Sequence, residues 1–228
     1  MLGHRGVRLG NTNPEIYGMQ VRALIEALID SEKAGVDVHL EIMLPLVAHV
    51  NEIKRLYQIL KPMAEETLKK FNHTPKHTIM WGSMIETPRA CLTAEEIGAV
   101  CEFFSFGTND LTQTTFAFSR DDVEGKFLNK YLDFTPPIMQ SNPFEVLDNT
   151  GVGKLVQMTV TDGRKGRADA AKGDHLEIGV CGETGGEPQS IFFYAKAGLD
   201  YVSCSPFRVP VARVAAAHAA ILQKQGKL

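Results

Sequence analysis

The chain has 228 residues, is 44% hydrophobic and 22% charged, and carries a formal net charge of −3. That length and mixture describe an ordinary globular protein with a sizeable core, in one large domain or two small ones. The charge gives no global basic field for nucleic acid or a membrane surface. No stretch of about 18 apolar residues reads as a membrane span, and MLGHRGVRLG lacks the apolar run of a secretory signal.

The first helix signal is Asn13, which can cap, followed by Pro14 at the first helical position and Glu15 at the positive helix end. Ile16, Met19, Leu24, Ala27 and Leu28 follow helical spacing, and Gly35 stops the run. Residues 38–44 read as a strand stopped by Pro45, and residues 48–70 as a helix bent or broken near Pro62. A strand over 78–85 leads to a helix from Pro88 to Val100. Residues 102–106 form a third strand ended by Gly107, and helix resumes at Asn109. The Pro-, Asn- and Asp-rich stretch 121–149 reads as a long loop with short helical pieces, a kind of segment that often serves as a lid or binding loop. Residues 151–161 read as helix, 162–174 as loop, 176–180 as strand, 188–197 as helix ended by Gly198, 201–203 as a short strand and 206–225 as a closing helix.

The order αβαβαβαβαβα predicts an α/β fold of parallel strands joined by right-handed helical crossovers. A doubly wound open sheet and a (β/α)8 barrel compete, and five strands are fewer than the eight a barrel needs.

Parallel α/β folds gather ligand groups at the carboxyl ends of their strands. Glu86 and Asp110 follow consecutive strands there. Neighbouring strands lie about 4.8 Å apart, so the two carboxylates can converge on one hard cation such as Mg2+ or Mn2+. Spacing alone leaves open that each instead caps the helix after it. Gly107-Thr108-Asn109-Asp110 supplies backbone N–H groups at a helix N-terminus, which suits an anion or serves as a plain cap. Cys181, between a strand and Gly182, is either a reactive thiol or a small buried hydrophobe. Arg5 and Arg8 are either oxyanion forks or surface charges.

The cysteines Cys91, Cys101, Cys181 and Cys204 form no CxxC pair, so neither a cysteine zinc site nor a disulfide framework is predicted. Reduced thiols in the cytoplasm are the simplest reading. Gly226-Lys227-Leu228 loosely echoes the SKL peroxisomal address and gives the alternative compartment. The seven histidines form no spacing that reads as a ligand set.

Taken together, Gly3-His4-Arg5-Gly6, Met84-Ile85-Glu86-Thr87-Pro88-Arg89-Ala90, Phe104-Ser105-Phe106-Gly107-Thr108-Asn109-Asp110-Leu111-Thr112-Gln113 and Cys181-Gly182-Glu183-Thr184-Gly185-Gly186 resemble the C-terminal domain of the pyruvate, phosphate dikinase family. The resemblance runs along essentially the whole chain, 1–228. Phosphoenolpyruvate synthase and enzyme I of the sugar phosphotransferase system share the site plan. Phe116-Ala117-Phe118-Ser119-Arg120-Asp121-Asp122, Gly151-Val152-Gly153-Lys154 and the stretch 201–210 look like the dikinase rather than these relatives.

The resemblance implies a (β/α)8 TIM-type barrel that binds phosphoenolpyruvate or pyruvate with Mg2+. Glu86 and Asp110 would hold the metal, Gly107, Thr108 and Asn109 would line the substrate, and Arg5 would contact the phosphoryl group. Cys181 would protonate the methylene carbon of the enolate. The implied reaction is the phosphotransfer that interconverts pyruvate and phosphoenolpyruvate, with ATP and phosphate in the complete enzyme.

The family's nucleotide-binding and phosphohistidine domains have no counterpart in these residues, which contain neither a P-loop nor a histidine in a Thr-Ser-His context. The five strands correspond to about strands four to eight, so the expected barrel is incomplete, with two edges to cover. A second copy of the chain, the missing N-terminal segment, or settlement as an open sheet would each answer that. The chain is expected to be inactive alone. The alternative is a non-catalytic module that binds phosphoenolpyruvate or a partner.

Overall fold

A computed structural model describes residues 1–170 and 175–228. The chain opens with a short helix α1 (Val7–Thr12), then α2 (Pro14–Lys33), strand β1 (Glu41–Leu44), α3 (Val50–Lys70) and β2 (Met80–Ile85). Next come α4 (Pro88–Leu92), α5 (Ala94–Gly98), β3 (Phe103–Gly107), α6 (Thr108–Phe116), α7 (Arg120–Lys126) and α8 (Leu128–Asp133). The last third contains α9 (Val152–Asp169), β4 (Glu177–Cys181), α10 (Pro188–Ala197), β5 (Tyr201–Val202) and α11 (Val209–Lys224). No helix among the described residues is long and apolar enough to cross a membrane.

All five expected strands form, in the expected order. Helix α1 was not anticipated. Asn13 precedes α2 as expected, but its side chain accepts a hydrogen bond from Thr12 Oγ1 instead of capping α2. Helix α3 runs unbroken through Pro62. The ring is exposed, as is Gln58, whose carbonyl loses its intrahelical donor, so water can satisfy it. The opposite face of α3, Ile53, Leu56, Leu60 and Ala64, is buried and holds the helix in place. The helix expected over 88–100 divides at Thr93 into α4 and α5. Helix α9 continues to Asp169 through most of the expected 162–174 loop, of which residues 171–174 lie outside the described residues. Its glycines, which suggested a loop, serve a close crossing. A Cβ on Gly166 would stand 1.9 Å from the Glu95 carbonyl of α5, and one on Gly98 would stand 2.2 Å from the Gly163 carbonyl.

The sheet is fully parallel in the order β1-β2-β3-β4-β5. Each strand pairs with its successor and the direction of winding never reverses. A doubly wound sheet reverses at a switch point, which this one lacks. With right-handed crossovers, one-directional winding puts the connecting helices on a single face. The register agrees. Ile42, Leu44, Trp81, Ile85, Phe104, Phe106, Ile178 and Val180 join the main core with residues from α2, α3, α5 and α9. The alternate residues, among them Met43, Gly82, Met84, Ser105, Gly107, Gly179, Cys181 and Tyr201, share the other face, and several stay half exposed. The sheet is not closed: β1 and β5 are its edges among the described residues. The 121–149 stretch carries most of α7, all of α8 and a small separate core of Val123, Leu128 and Phe144.

Gly166→Ala should lower stability by about 1–3 kcal/mol in urea unfolding, because the added methyl overlaps the α5 backbone. Gly125→Ala, with nothing within 4 Å of the new Cβ, should leave stability unchanged or slightly raised.

Candidate functional site

The carboxyl ends of the strands meet at one corner of the sheet. At the end of β1, Leu46 takes a positive φ of 58° and its N–H donates to Glu86 Oε1 at 2.6 Å. The N-terminal segment is fastened to the same turn. Val7 N–H donates to the Pro45 carbonyl at 2.9 Å, and Gly6, with φ 57°, packs so close that a Cβ would stand 2.9 Å from that of Leu46. Only a residue tolerant of positive φ and lacking a side chain fits there. This brings Arg5, exposed at its tip, into the electrostatic field of Glu86. Arg8 does something else: its guanidinium donates to the Met1 and Gly3 carbonyls and braces the terminus.

Glu86 directly follows β2 and is buried, 4% exposed. It does not cap the following helix. That work falls to Thr87, which accepts from Ala90 N–H and donates to the Val47 carbonyl. Gly107 of β3 opens the space for the carboxylate, since a Cβ there would stand 2.5 Å from Glu86 Oε2. Asp110 lies in the first turn of α6, which has no side-chain cap, and its Oδ1 accepts from Gln113 Nε2 at 3.3 Å. Burial pushes the Glu86 carboxyl up to about 7, and the neighbouring Asp110 carboxylate pushes the same way. The Leu46 N–H and the Arg5 charge oppose the rise. Two carboxyl groups this close favour a shared proton or a cation. Hard oxygen donors, few in number and with room for water or ligand oxygens, suit Mg2+. The residues present therefore fit that ion.

Cys181, half-buried at the end of β4, pairs in register with Gly107. Burial raises its thiol pKa and the Glu86 charge adds to the rise, while a hydrogen bond with Ser105 opposes it. Burial and the Glu86 charge both favour the protonated thiol over the thiolate. Gly182 follows with φ 107°, and a Cβ there would stand 2.5 Å from Thr108 Oγ1 and 3.2 Å from Asn109 Oδ1. Thr108 is 1% exposed and its hydroxyl is engaged within the protein. It donates to the Cys181 carbonyl at 3.1 Å and accepts from Thr184, which pairs with the Tyr194 hydroxyl at 2.7 Å. This chain of hydroxyls ties the β3 and β4 ends together. The first-turn N–H groups of α6 have no intrahelical acceptors and face the site end of the helix.

The structure thus brings Glu86, Gly107, Thr108, Asn109, Asp110 and Cys181 to one corner, with Arg5 at its edge. Sequence reading passed over Leu46, Ser105, Gln113 and Tyr201. Leu46 follows the first strand and would have surfaced had that strand's end been read like the others. Tyr201 packs its ring over Gly179, where a Cβ would fall 2.1 Å from it, and Ser105 is near enough to lower its pKa. Its place depends on the β4–β5 register, which no local signal specifies.

Comparison with known proteins gives consistent matches. Residues 1–221 match the family described as PEP-utilising enzyme, PEP-binding domain. The chain is 51% identical to pyruvate, phosphate dikinase of Entamoeba histolytica over 97% of its length and 24% of that protein. It is 54% identical to pyruvate, phosphate dikinase 2 of Oryza sativa subsp. japonica over 95% of this chain and 23% of the relative. It is 52% identical to pyruvate, phosphate dikinase of Clostridium symbiosum over 98% and 24%. The chain therefore spans about a quarter of the length of these curated relatives. Among solved structures, a citrate lyase from Burkholderia xenovorans superposes with a TM-score of 0.44 at 12% identity, over 82% of this chain and 55% of that one.

The raised Glu86 carboxyl makes the metal-free fold less stable as pH rises. Its contribution is complete below the ordinary value near 4.5 and is lost as pH climbs through about 7. Urea unfolding in chelator should show a decline of roughly 3 kcal/mol across that window. Glu86→Gln should flatten the decline, and Mg2+ should remove most of it in the wild-type chain.

Proposed function

The chain belongs to the PEP-utilising enzymes, as their PEP-binding domain, and on that premise we propose that the strand-end corner is the substrate site of a phosphotransferase interconverting pyruvate and phosphoenolpyruvate. One observation carries the reading: the buried Glu86 carboxylate, the half-buried Asp110 beside it and the Cys181 thiol come together at the ends of neighbouring strands. The one-directional strand order supports taking the sheet as about strands four to eight of a (β/α)8 barrel.

In this reading Glu86 and Asp110 hold Mg2+. The bound ion supplies positive charge that favours the enolate form of pyruvate. Gly107 and Asn109 line the substrate, and the first-turn amides of α6 orient its carboxylate. Thr108 acts from behind, fixing the spacing between the β3 and β4 ends. Arg5 contacts the phosphoryl group. Cys181 gives its proton to C3 of the enolate to make the methyl group of pyruvate, and takes one from that methyl group in reverse. Burial of the thiol suits the donating direction.

ATP and phosphate enter through the remainder of a longer dikinase, with which this domain works. The chain alone carries no ATP-dependent turnover. Identity of about 50% to dikinases supports this reading over a phosphoenolpyruvate synthase or enzyme I relative. A non-catalytic phosphoenolpyruvate-binding module differs in one respect, the proton step.

Two measurements on the chain test the reading. Calorimetry with oxalate, an enolate mimic, should give heat only when Mg2+ is present, and Glu86→Gln should abolish it. Exchange of pyruvate methyl protons into D2O, followed by NMR, should fall about 100-fold or more in Cys181→Ala, with oxalate binding unchanged. Oxalate heat that is indifferent to Glu86 sinks the site. Binding without any exchange leaves only the non-catalytic module.

A further inference from the structure

The other end of the sheet carries a second cluster. His39 stands just before β1, His77 just before β2, and Asp37 in the loop leading to β1. Proton-transfer and phosphoryl chemistry sit at the carboxyl ends of the strands, so these three residues play no part in the reading above. The two histidines are 38 positions apart in sequence, which is why no spacing rule links them. Strand pairing brings them together: Met80 N–H donates to the Leu40 carbonyl at 3.0 Å and sets the two strand starts side by side.

The imidazole rings stack with centroids 3.8 Å apart and 21° between their planes. Both turn Nε2 toward the same carboxylate, one to each oxygen. His77 Nε2 lies 2.8 Å from Asp37 Oδ1, and His39 Nε2 lies 3.5 Å from Oδ2. One donor atom from each of the three residues falls within 4.8 Å of the others. Two ligands on one tetrahedral ion at ordinary Zn–N and Zn–O lengths stand about 3.3 Å apart. The two N–O separations straddle that value, and the stacked rings would swing apart from face-to-face contact to aim both Nε2 atoms at one ion. The side chains of His39, Asp37 and His77 are 67%, 67% and 38% exposed, and an ion can reach them directly.

Other histidines also meet carboxylates, but differently. His73 pairs with Glu32 at 2.6 Å and His175 with Asp200 at 2.8 Å, one imidazole to each acid. Among the described residues only Asp37, His39 and His77 converge as a set of three.

We propose that Asp37, His39 and His77 form a binding site for a borderline transition metal ion, Zn2+ in the first instance. Two imidazoles and one carboxylate select such ions, whereas Mg2+ prefers oxygen donors throughout. The ion would clip the Asp37 loop to the start of β2, leaving one coordination position for water. The molecule then sorts two classes of metal to opposite ends of one sheet, hard cations to Glu86 and Asp110 and borderline ones to this cluster.

Zn2+ titration by calorimetry, on reduced chain in saturating Mg2+, tests this. One equivalent should bind, and His39→Ala or His77→Ala should each weaken it at least about tenfold. His175→Ala and Glu86→Gln should leave it unchanged. These exposed histidines are replaceable without harm to the core, which far-UV circular dichroism verifies. Independently, substoichiometric Co2+ should broaden the imidazole NMR signals of His39 and His77 before any others. No Zn2+ uptake, uptake that survives both histidine substitutions, or broadening that begins at other histidines overturns the assignment.

Discussion

A carboxylate taken out of water must find donors, a counter-ion or a proton. Glu86 has one short backbone donor, the Leu46 N–H at 2.6 Å, and that bond organises everything around it. It fixes the turn after β1, to which Val7 and Gly6 fasten the N-terminal segment and its Arg5. It aims the carboxylate across to β3, where Gly107 leaves room for it. The donor satisfies Oε1 and leaves Oε2 beside Gly107, with the Asp110 carboxylate nearby. The local structure is therefore built around charge that remains only partly balanced, and a cation is the economical way to complete it.

The second constraint is the direction of winding. Five strands in sequential order put every connecting helix on one side and leave the alternate residues of each strand on the other. On the helix side the strands offer mostly large apolar groups such as Trp81, Phe104 and Phe106. On the far side they offer glycine, methionine, serine and cysteine, with Tyr201 laid across Gly179. Small residues there let long side chains from neighbouring strands cross the face. Ser105 lies near both Cys181 and Tyr201 and lowers the proton affinity of each, so it links the corner to the floor of the sheet.

Much of this was legible in the sequence. Short apolar runs mark all five strands, with Pro45 and Gly107 stopping the first and third, and the residues after the strands put Glu86, Asp110 and Cys181 at one end of the sheet. What escaped were features set by partners distant in sequence. Pro62 predicts a bend or break because local rules do not know that its side of α3 faces water. Gly163 and Gly166 were read as loop because the α5 backbone that needs their smoothness lies far earlier in the chain. The hydroxyl role of Thr108 depends on Thr184 and Tyr194, and the meeting of His39 with His77 depends on strand register. The family resemblance implies roles for residues but not the supports that hold them.

The long excursion between β3 and β4, which contains α6 to α9, bears on how the molecule is put together in time. Of the four strand pairings, β3 with β4 joins the residues farthest apart along the chain. Closing the longest loop costs the most chain entropy and returns nothing until both ends meet. Strands β1 to β3 can collect around α3 and α5 before that, and β4 with β5 around α10 and α11. The seam between these two halves passes between Asp110 and Cys181. Glu86 and its turn thus belong to one half and the thiol to the other, and the corner is complete only when the pairing with the largest loop-closure cost is made.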